Sequence, residues 1–325
     1  MKIGVVGAGA WGTALAQVLA RDEAPVTLWA FEPELVAAIN DRHENPLYLP
    51  GVPLSPAIRA TGDLGALADC EALLIVTPAQ HMRAILAHLP AGEAPLILCC
   101  KGIEGATGQL MGEVAAEAAP GRPIAVLSGP TFAREVALGL PTAITLACAE
   151  AGLCGTLSTA IARPRFRPYA SDDVIGAEIG GAVKNVLAIA CGVVAGAGLG
   201  ENARAAIIAR GFAEMTRFGL ARGARAETLA GLSGLGDLVL TCSSTQSRNF
   251  SLGKGLGEGR SAAELLADRI TVAEGASTAP VLQRVARAGG VDMPVVDAVC
   301  ALLSGEAALG AVIERLLARP LRSEG

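Results

Sequence analysis

A single lysine, Lys184, interrupts an apolar run that spans residues 180–190. No charged residue follows between positions 186 and 200. If this segment forms a buried helix, desolvation disfavours the charged form of the amine and lowers its pKa, so that Lys184 can serve as a general base. The alternative is a lysine that lays its stem along apolar surface and keeps its ammonium in water.

The use of lysine elsewhere in the chain favours the first interpretation. Of 26 basic residues only four are lysines (Lys2, Lys101, Lys184 and Lys254), and the other 22 are arginines. A guanidinium does not deprotonate in proteins, so a lysine kept in an arginine-rich chain indicates a need for proton transfer. We therefore predict a chemical role for Lys184, and Lys101 is a second candidate by the same argument.

A polar stretch at residues 241–249 is a candidate anion site. It contains several hydroxyls, an amide and one arginine, Arg248, and the segment before it is rich in glycine. Such groups suit a phosphate, but a solvated loop has the same composition, and both interpretations stay open. Asp237, just upstream, either caps a helix or orients the amine of a lysine base.

A glycine pattern near the N-terminus predicts a nucleotide site. Residues 7–12 read G-x-G-x-x-G directly after a short apolar strand at residues 2–6, and a helix at 13–20 and a strand at 26–29 follow. In this context the glycines allow a tight turn, close approach of a pyrophosphate and close helix–strand packing. The unpaired N–H groups at the helix N-terminus would face the phosphates.

The acid that reads the ribose hydroxyls is expected about 20 residues beyond the glycines. Glu32 lies at that distance, and no arginine stands at the tip of the second strand to hold a 2′-phosphate. This arrangement favours NAD over NADP.

Alternating elements predict the fold class. Further strands are expected at residues 72–77, 96–100 and 124–127, and helices at 82–89 and 108–119. This alternation is typical of a parallel, doubly wound sheet, whose ligands bind beyond the carboxyl ends of the strands. Residues 77–78, 101–102 and 128–130 should therefore converge on one crevice.

The second half of the chain predicts helices only. No convincing strand follows residue 171, and residues 202–219 show an amphipathic helical pattern. We predict an α/β protein in which an N-terminal Rossmann-type doubly wound sheet (residues 1–178) is followed by an all-helical C-terminal domain (residues 179–325). Lys184 then lies near the junction, where substrate clefts are common.

Composition excludes several classes of function. Aromatic residues make up only 3% of the chain and the net charge is −5, which argues against nucleic-acid binding. Eight cysteines show no C-x-x-C pair and no nearby histidine pair, so we expect no metal site and reduced thiols in the cytoplasm. The apolar run at 186–200 is shorter than a membrane span and contains four glycines, so no integral membrane segment is expected.

Taken together, the motifs resemble those of the bacterial NAD(P)-dependent glycerol-3-phosphate dehydrogenase family. The resemblance covers nearly the whole chain and is carried by residues 7–12, 128–133, 180–185, 202–204, 234–241, 246–249 and 272–275. It implies an enzyme that uses NAD or NADP to reduce dihydroxyacetone phosphate to sn-glycerol 3-phosphate, which supplies glycerophospholipid synthesis. It also allows a homodimer.

The resemblance further implies roles for individual residues. Lys184 would be the proton acceptor, and Lys101 would touch both substrate and cofactor. The rest of the substrate pocket would be formed by Gly129, Thr131, Asp237, Ser247, Arg248 and Asn249. The nucleotide would be contacted by Gly7, Gly9, Ala10, Trp11, Gly12, Phe31, Ala133, Arg248, Val272 and Glu274.

Two positions depart from the family pattern. Ala10 stands where a serine is usual, which removes a hydroxyl from the turn but leaves its backbone donors. Phe31 stands where a basic residue is frequent, which argues against a preference for NADPH and agrees with the interpretation of Glu32.

The expected reaction is proton transfer coupled to hydride transfer. In the oxidative direction neutral Lys184 would accept the proton of the C2 hydroxyl as hydride leaves C2 for the nicotinamide, and in reverse its ammonium would protonate the forming alkoxide. A related lysine-dependent 2-hydroxyacid or ketopantoate-type dehydrogenase, with a carboxylate substrate, is the alternative enzyme. A nucleotide-sensing protein without turnover is the alternative from another class.

Overall fold

The computed structural model describes residues 1–267 and 273–318. Eight strands form one sheet in the order β3-β2-β1-β4-β5-β6-β7-β8. All neighbouring strands run parallel except β6 and β7, which are antiparallel. The strands are β1 Ile3–Val6, β2 Val26–Trp29, β3 Ile58–Thr61, β4 Ala72–Ile75, β5 Leu96–Leu98, β6 Ile124–Ser128, β7 Thr142–Cys148 and β8 Phe166–Ser171.

Helices alternate with the strands and then continue alone. The first six are α1 Ala10–Leu19, α2 Pro33–Arg42, α3 Met82–Leu86, α4 Met111–Ala118, α5 Ala133–Ala137 and α6 Ala151–Ile161. Beyond Ser171 the described residues form only helices and turns: α7 Val174–Gly196, α8 Gly200–Ala221, α9 Ala226–Leu229, α10 Asp237–Thr241, α11 Arg248–Gly257, α12 Ala262–Leu265, α13 Glu274–Ala288, α14 Pro294–Leu303 and α15 Leu309–Leu317. The predicted fold class is confirmed.

The sheet is larger than the sequence pattern predicts. Strands β3, β7 and β8 and helices α2, α5 and α6 are additions to the predicted elements. Strand β8 lies at the sheet edge and contains Arg167 and Pro168, and such residues are tolerated where one side of a strand has no partner. The basic segment at 163–167 leads into this strand.

Helix α7 forms the core of the helical half. Every residue from Gly176 to Val194 is buried. By length and composition α7 could cross a membrane, but 89% of its most apolar window is covered by the rest of the protein, as in the core helix of a globular domain. The helix begins at Val174 and runs through residue 178, so the division between domains at that residue stays a prediction.

Helices α7 and α11 touch through bare backbone. A Cβ atom at Gly192 of α7 would lie 2.0 Å from the Phe250 carbonyl oxygen, and one at Gly253 of α11 would lie 1.9 Å from the Ile189 carbonyl oxygen. Glycine recurs four residues later on both helices, at Gly196 and Gly257, and the crowding there is similar. Only glycine permits this approach, which places the start of α11 close against the helix that carries Lys184.

Candidate active site

The turn between β1 and α1 has the shape of a phosphate cradle. Gly7 has φ +116, and a Cβ there would lie 2.8 Å from the Val76 carbonyl oxygen. A Cβ at Gly12 would lie 1.8 Å from the Gly7 carbonyl oxygen, whereas one at Gly9 would meet nothing within 4 Å. The first and third glycines therefore allow the packing, and the second leaves open space over the N-terminus of α1, which no side chain caps. This geometry fits a dinucleotide pyrophosphate.

Unsatisfied polar atoms support the same fit. The indole nitrogen of Trp11 and the hydroxyls of Thr77 and Ser128 are buried and have no hydrogen-bond partner among the described residues. Trp11 belongs to the glycine turn, Thr77 follows the carboxyl end of β4, and Ser128 ends β6, on the other side of β5. Buried polar groups normally have partners, so these atoms indicate a polar ligand beyond the strand ends.

Lys184 lies in the middle of α7 and is 7% exposed. Its Nζ donates to Asp237 Oδ1 at 2.9 Å and to Thr241 Oγ1 at 2.9 Å. Both acceptors lie on α10, at the first and last residues of that helix, and the Thr241 hydroxyl lies 3.2 Å from the same Asp237 oxygen. An ammonium has three N–H donors, so one remains for a ligand.

Lys101 reaches the same carboxylate from the sheet. It follows β5, and its Nζ lies 2.6 Å from Asp237 Oδ2 and 3.3 Å from the Gly129 carbonyl oxygen. Two lysines from the two halves of the chain therefore share one aspartate, whose side chain is fully buried. The contact with Gly129 also brings together two of the strand ends that the sequence predicts to converge.

Burial and neighbouring charge set the proton affinities of this cluster. Burial lowers the pKa of Lys184 to about 8. The charge of Lys101 also lowers this pKa, whereas the charge of Asp237 raises it. Burial alone would raise the pKa of Asp237, but Lys101 and Lys184 outweigh it and hold that pKa below its usual value. The aspartate is therefore an anion between two amines, one of which can lose its proton near physiological pH.

A single π-helical turn, Leu232–Gly236, positions Asp237. Within it the Gly236 N–H donates to the Gly231 carbonyl oxygen at 3.0 Å. The turn crosses α7 at Gly180, where a Cβ would lie 2.3 Å from the Ser233 carbonyl oxygen. Isolated π turns are rare and recur at functional sites. Here the turn ends directly at the carboxylate that binds both lysines.

The polar stretch at 241–249 is divided between two helices. Ser247 caps α11 by accepting from the Phe250 N–H at 3.2 Å. Asn249 donates to Asn185 Oδ1 at 2.9 Å and accepts from the Gly275 N–H at 2.9 Å. Arg248 is exposed and forms no hydrogen bond to the described residues. Its guanidinium is thus available to an anion.

The other predicted site residues lie around the crevice or away from it. Thr131 Oγ1 lies 3.3 Å from the Gly129 carbonyl oxygen, Ala10 begins α1 and Ala133 begins α5. Glu274, at the start of α13, accepts from the Ala79 N–H at 3.4 Å, and burial raises its pKa despite the opposing charge of Arg248. Phe31 is 79% exposed and stacks edge-to-face on Trp29. Val272 lies outside the described residues.

Two polar residues of the cluster were not assigned from sequence. Thr241 could have been found from its i,i+4 spacing to Asp237, and Asn185 from its position next to Lys184 in an apolar helix. Among residues 1–267 and 273–318 no group of three or more His, Cys, Asp or Glu side chains could hold a metal ion.

The two halves of the chain match the two parts of one known family. Residues 2–154 match the family model described as the N-terminus of NAD-dependent glycerol-3-phosphate dehydrogenase, and residues 173–314 match that of its C-terminus. The chain belongs to the NAD-dependent glycerol-3-phosphate dehydrogenase family. The predicted family resemblance is confirmed.

Individual members of this family are similar over their full length. A glycerol-3-phosphate dehydrogenase (NAD(P)+) of Sphingopyxis alaskensis is 64% identical over 324 residues, covering 100% of this chain and 98% of that protein. One of Erythrobacter litoralis is 66% identical over 323 residues, with coverage of 99% and 98%. The crystal structure of glycerol-3-phosphate dehydrogenase from Coxiella burnetii has a TM-score of 0.93 at 38% identity and covers 98% of this chain and 99% of that one.

A more distant structure shares the fold alone. A ketopantoate reductase family protein from Ralstonia eutropha has a TM-score of 0.61 at 17% identity, with coverage of 98% and 100%. The fold alone therefore does not fix the substrate, which must be argued from the site.

Proposed function

We propose that this chain is an NAD(P)-dependent sn-glycerol-3-phosphate dehydrogenase that reduces dihydroxyacetone phosphate to sn-glycerol 3-phosphate, a precursor of glycerophospholipids. The single observation that carries the proposal is the buried Lys184 ammonium, which is bonded to Asp237 and Thr241 and belongs to the cluster that reaches the strand ends through Lys101. Family membership over both halves of the chain supports the same reaction.

Lys184 performs the proton transfer in this proposal. Its remaining N–H would donate a hydrogen bond to the substrate C2 oxygen. Transfer of that proton neutralises the alkoxide as it forms. With a pKa lowered to about 8, Lys184 is mostly protonated at pH 7 and can act as an acid, and it is mostly neutral above about pH 8, where it can act as a base. The nicotinamide, when bound, supplies or accepts the hydride.

The charge of the cluster suits a phosphate ester. The two ammoniums and the Asp237 carboxylate leave one net positive charge in a buried place. The guanidinium of Arg248 adds another at the start of α11, opposed by Glu274 where that carboxyl is ionised. A phosphate dianion is attracted by both, and Arg248 can bind two of its oxygens at once. Binding energy from the phosphate then holds C2 in position against Lys184.

The proposed nucleotide site consists of the glycine turn and its surroundings. Gly7, Gly9, Ala10, Trp11 and Gly12 would contact the pyrophosphate end of NAD or NADP. Lys101, Ala133, Arg248 and Glu274 lie on elements that reach toward the crevice and would contact the nicotinamide end, together with Val272.

A single assay separates the candidate reactions. Purified protein is mixed with NADH or NADPH, and absorbance of the reduced nicotinamide is followed with dihydroxyacetone phosphate, with ketopantoate and with simple 2-oxoacids. We expect oxidation of the nucleotide with dihydroxyacetone phosphate only. Turnover of a carboxylate substrate alone would establish the 2-hydroxyacid or ketopantoate-type alternative, and nucleotide binding without any turnover would indicate a sensor.

A homodimer and a cytoplasmic location are further parts of the proposal. All eight cysteines are unpaired, as expected in a reducing compartment. Sedimentation equilibrium of the purified chain tests the assembly, and a monomeric mass at micromolar concentration would contradict the dimer.

A further inference from the structure

Helix α7 contacts Lys101 as well as carrying Lys184. A Cβ atom at Gly181 would lie 3.2 Å and 3.3 Å from the Lys101 Cγ and Cδ atoms and 2.9 Å from the Ser128 hydroxyl oxygen. The stem of Lys101 therefore lies directly against the main chain of α7, while its ammonium binds Asp237. The place of Lys101 in the cluster thus depends on how α7 is held against the segment that carries this lysine.

A second contact of α7 with the sheet half lies one helical turn earlier, at Glu178. This carboxyl group is buried and accepts from the Gly112 N–H at 2.6 Å. Gly112 is the second residue of α4, and a Cβ there would lie 3.2 Å from Glu178 Oε2 and 3.5 Å from Oε1. The carboxyl group thus covers the first turn of α4, where backbone N–H groups have no partner within the helix. Glu178 therefore binds α4 to α7.

The start of α4 is tied back to Lys101. The loop between Lys101 and α4 closes on itself, because Ile103 pairs with Leu110 in an antiparallel bridge and the Glu104 N–H donates to the Gln109 carbonyl oxygen at 2.9 Å. A displacement of α4 relative to α7 is therefore transmitted through this bridge to the lysine at the start of the loop.

Capping of α4 does not by itself require Glu178. Glu113, in the first turn of the same helix, accepts from the Leu110 N–H at 2.7 Å and pairs with Arg222 at 3.1 Å. Glu113 is exposed, whereas Glu178 is desolvated, and burial raises the pKa of Glu178 to about 7 although the Gly112 N–H lowers it. A local acid caps a helix without this desolvation. What the buried carboxyl group adds is a bond between two helices.

We propose that Glu178 is a positioning residue for Lys101. By anchoring the N-terminus of α4 to α7, it holds the loop that follows Lys101, so that the lysine stem rests on Gly181 and its ammonium reaches Asp237. The proposal rests on the proposed function, in which Lys101 contacts substrate and nucleotide, and it adds the residue that determines where this lysine lies.

Acetylation by an acetyl N-hydroxysuccinimide ester measures the position of Lys101 without any turnover. The chain has only four lysines, so peptide mass spectrometry resolves each of them. The Lys101 side chain is 14% exposed and ion-paired, and we expect its acetylation rate to rise several-fold in Glu178→Ala, while the rate of Lys254 stays constant. Glu178→Gln should keep a rate close to that of the unmodified chain, because the amide has the same shape and its oxygen also accepts from Gly112.

Steady-state rates then show whether Glu178 acts through Lys101. With NADH and dihydroxyacetone phosphate, we expect Glu178→Ala to lower kcat/KM by about ten- to a hundred-fold, the effect of misplacing a binding group by roughly one ångström. In a Lys101→Met background most of this loss should disappear, since the effects of residues that act through one another are not additive.

The matched control is Glu214→Ala. Glu214 is also buried and also accepts from N–H groups at the start of a helix, but it joins α8 to α14. Its replacement should leave the Lys101 acetylation rate and kcat/KM close to those of the unmodified chain.

Gly112→Ala tests the same contact if Glu178→Ala does not fold. The added methyl group crowds the carboxyl group and favours the helix, so Lys101 acetylation should also increase. An unchanged Lys101 rate in the folded variants, a full loss of kcat/KM by Glu178→Ala in the Lys101→Met background, or the same changes in Glu214→Ala would overturn the proposal. An unmodified chain that does not reduce dihydroxyacetone phosphate would refute the proposed function, and the acetylation rates would still decide the role of Glu178.

Discussion

The Lys184 ammonium lies 2.9 Å from the Asp237 carboxylate, and neither side chain has more than slight contact with water. The two residues are 53 positions apart and come from helices α7 and α10. A buried ion pair depends on both members, since removal of one leaves the other charged without compensation. The chemistry of the site and its stability are therefore set by the same contact.

Replacement of Lys184 removes the proposed acid and base. We expect Lys184→Ala to lower kcat by about a hundred- to ten-thousand-fold, the range that general acid–base catalysis contributes. Nucleotide binding should survive, because the glycine turn does not involve α7. Steady-state rates and NADH titration measure the two effects. Lys254→Ala is the control, because the side chain of that lysine is partly exposed and pairs with Glu258, just beyond the end of α11. Near-normal turnover by Lys184→Ala would refute the role.

Replacement of Asp237 by asparagine removes the charge between the two ammoniums. The pKa of Lys184 should fall further, because attraction by Asp237 opposes the effect of burial. We expect the pH at which the rate of ketone reduction falls to move lower in Asp237→Asn, and the free energy of unfolding to drop by about 3–5 kcal/mol. Asp297→Asn, at an exposed ion pair with Arg287, is the control for denaturant unfolding. An unchanged pH profile would show that Asp237 does not set the proton affinity.

The pH dependence of the reaction follows from the lowered pKa of Lys184. Its ammonium is the acid in ketone reduction, so kcat/KM for dihydroxyacetone phosphate should fall as pH rises through about 8. For oxidation of sn-glycerol 3-phosphate the neutral amine is required, and kcat/KM should rise over the same interval. The two profiles are measured in buffers of constant ionic strength. Profiles that do not cross in this way would contradict a lysine with a lowered pKa as the proton carrier.

The guanidinium of Arg248 is available for the substrate phosphate. We expect Arg248→Ala to raise KM for dihydroxyacetone phosphate by about ten- to a hundred-fold, the value of one hydrogen-bonded charge pair. Initial rates over a range of ketone concentration give KM, and NADH titration shows how far nucleotide binding also depends on Arg248. Arg260→Ala, at an exposed pair with Glu264, serves as the control. An unchanged KM in Arg248→Ala would count against phosphate binding at this position.

A second buried carboxylate makes stability depend on pH. Glu214 is 1% exposed and accepts from the N–H groups of Val295 and Val296 at the start of α14. Burial raises its pKa from 4.5 to about 7, so the folded chain holds a proton that the unfolded chain has lost between these values. Its contribution to stability is therefore present below about pH 4.5 and is lost as pH rises through about 7.

Glu214→Gln keeps an acceptor and removes this titration. Its free energy of unfolding should decline less between about pH 5 and 8 than that of the unmodified chain, by up to about 1.4 kcal/mol per pH unit. Urea unfolding at several pH values measures the slope, and Glu227→Gln, at an exposed position on α9, should not change it. Parallel slopes in the Glu214 variant and the unmodified chain would refute the linkage.

The local patterns of the sequence predict the frame of the site well. The glycine turn, the buried lysine and the convergence of the strand ends depend on short-range signals, namely spacing, periodicity and the order of elements. For Asp237 the sequence left two roles open, a helix cap or a group that orients a lysine, and in the structure its carboxylate accepts from Lys184 Nζ. The position of Lys101 follows from the rule that ligands bind beyond the carboxyl ends of parallel strands.

Contacts between distant helices could not be predicted in the same way. Ser247 and Asn249 have the composition of a phosphate loop, but their side chains cap α11 and bridge Asn185 to Gly275. Glu178 is buried and accepts from the Gly112 N–H of α4, 66 residues away, at 2.6 Å. No pattern in a single sequence pairs such a carboxylate with its helix terminus. The edge strand β8 escaped prediction for another reason, since its arginine and proline do not have the composition of a buried strand.

The glycine contacts between α7 and α11 hold these two helices at a fixed spacing. Lys184 projects from one and Arg248 begins the other. At Gly192, Gly196, Gly253 and Gly257 the main chains of the two helices meet directly, so these four contacts contain no side chain that could repack. Under the proposed roles, these main-chain contacts set the distance between the group that binds the carbinol carbon, Lys184, and the group that binds the phosphate, Arg248. A ketone with one carbon more or fewer between its carbonyl and its phosphate could therefore contact Lys184 or Arg248 but not both.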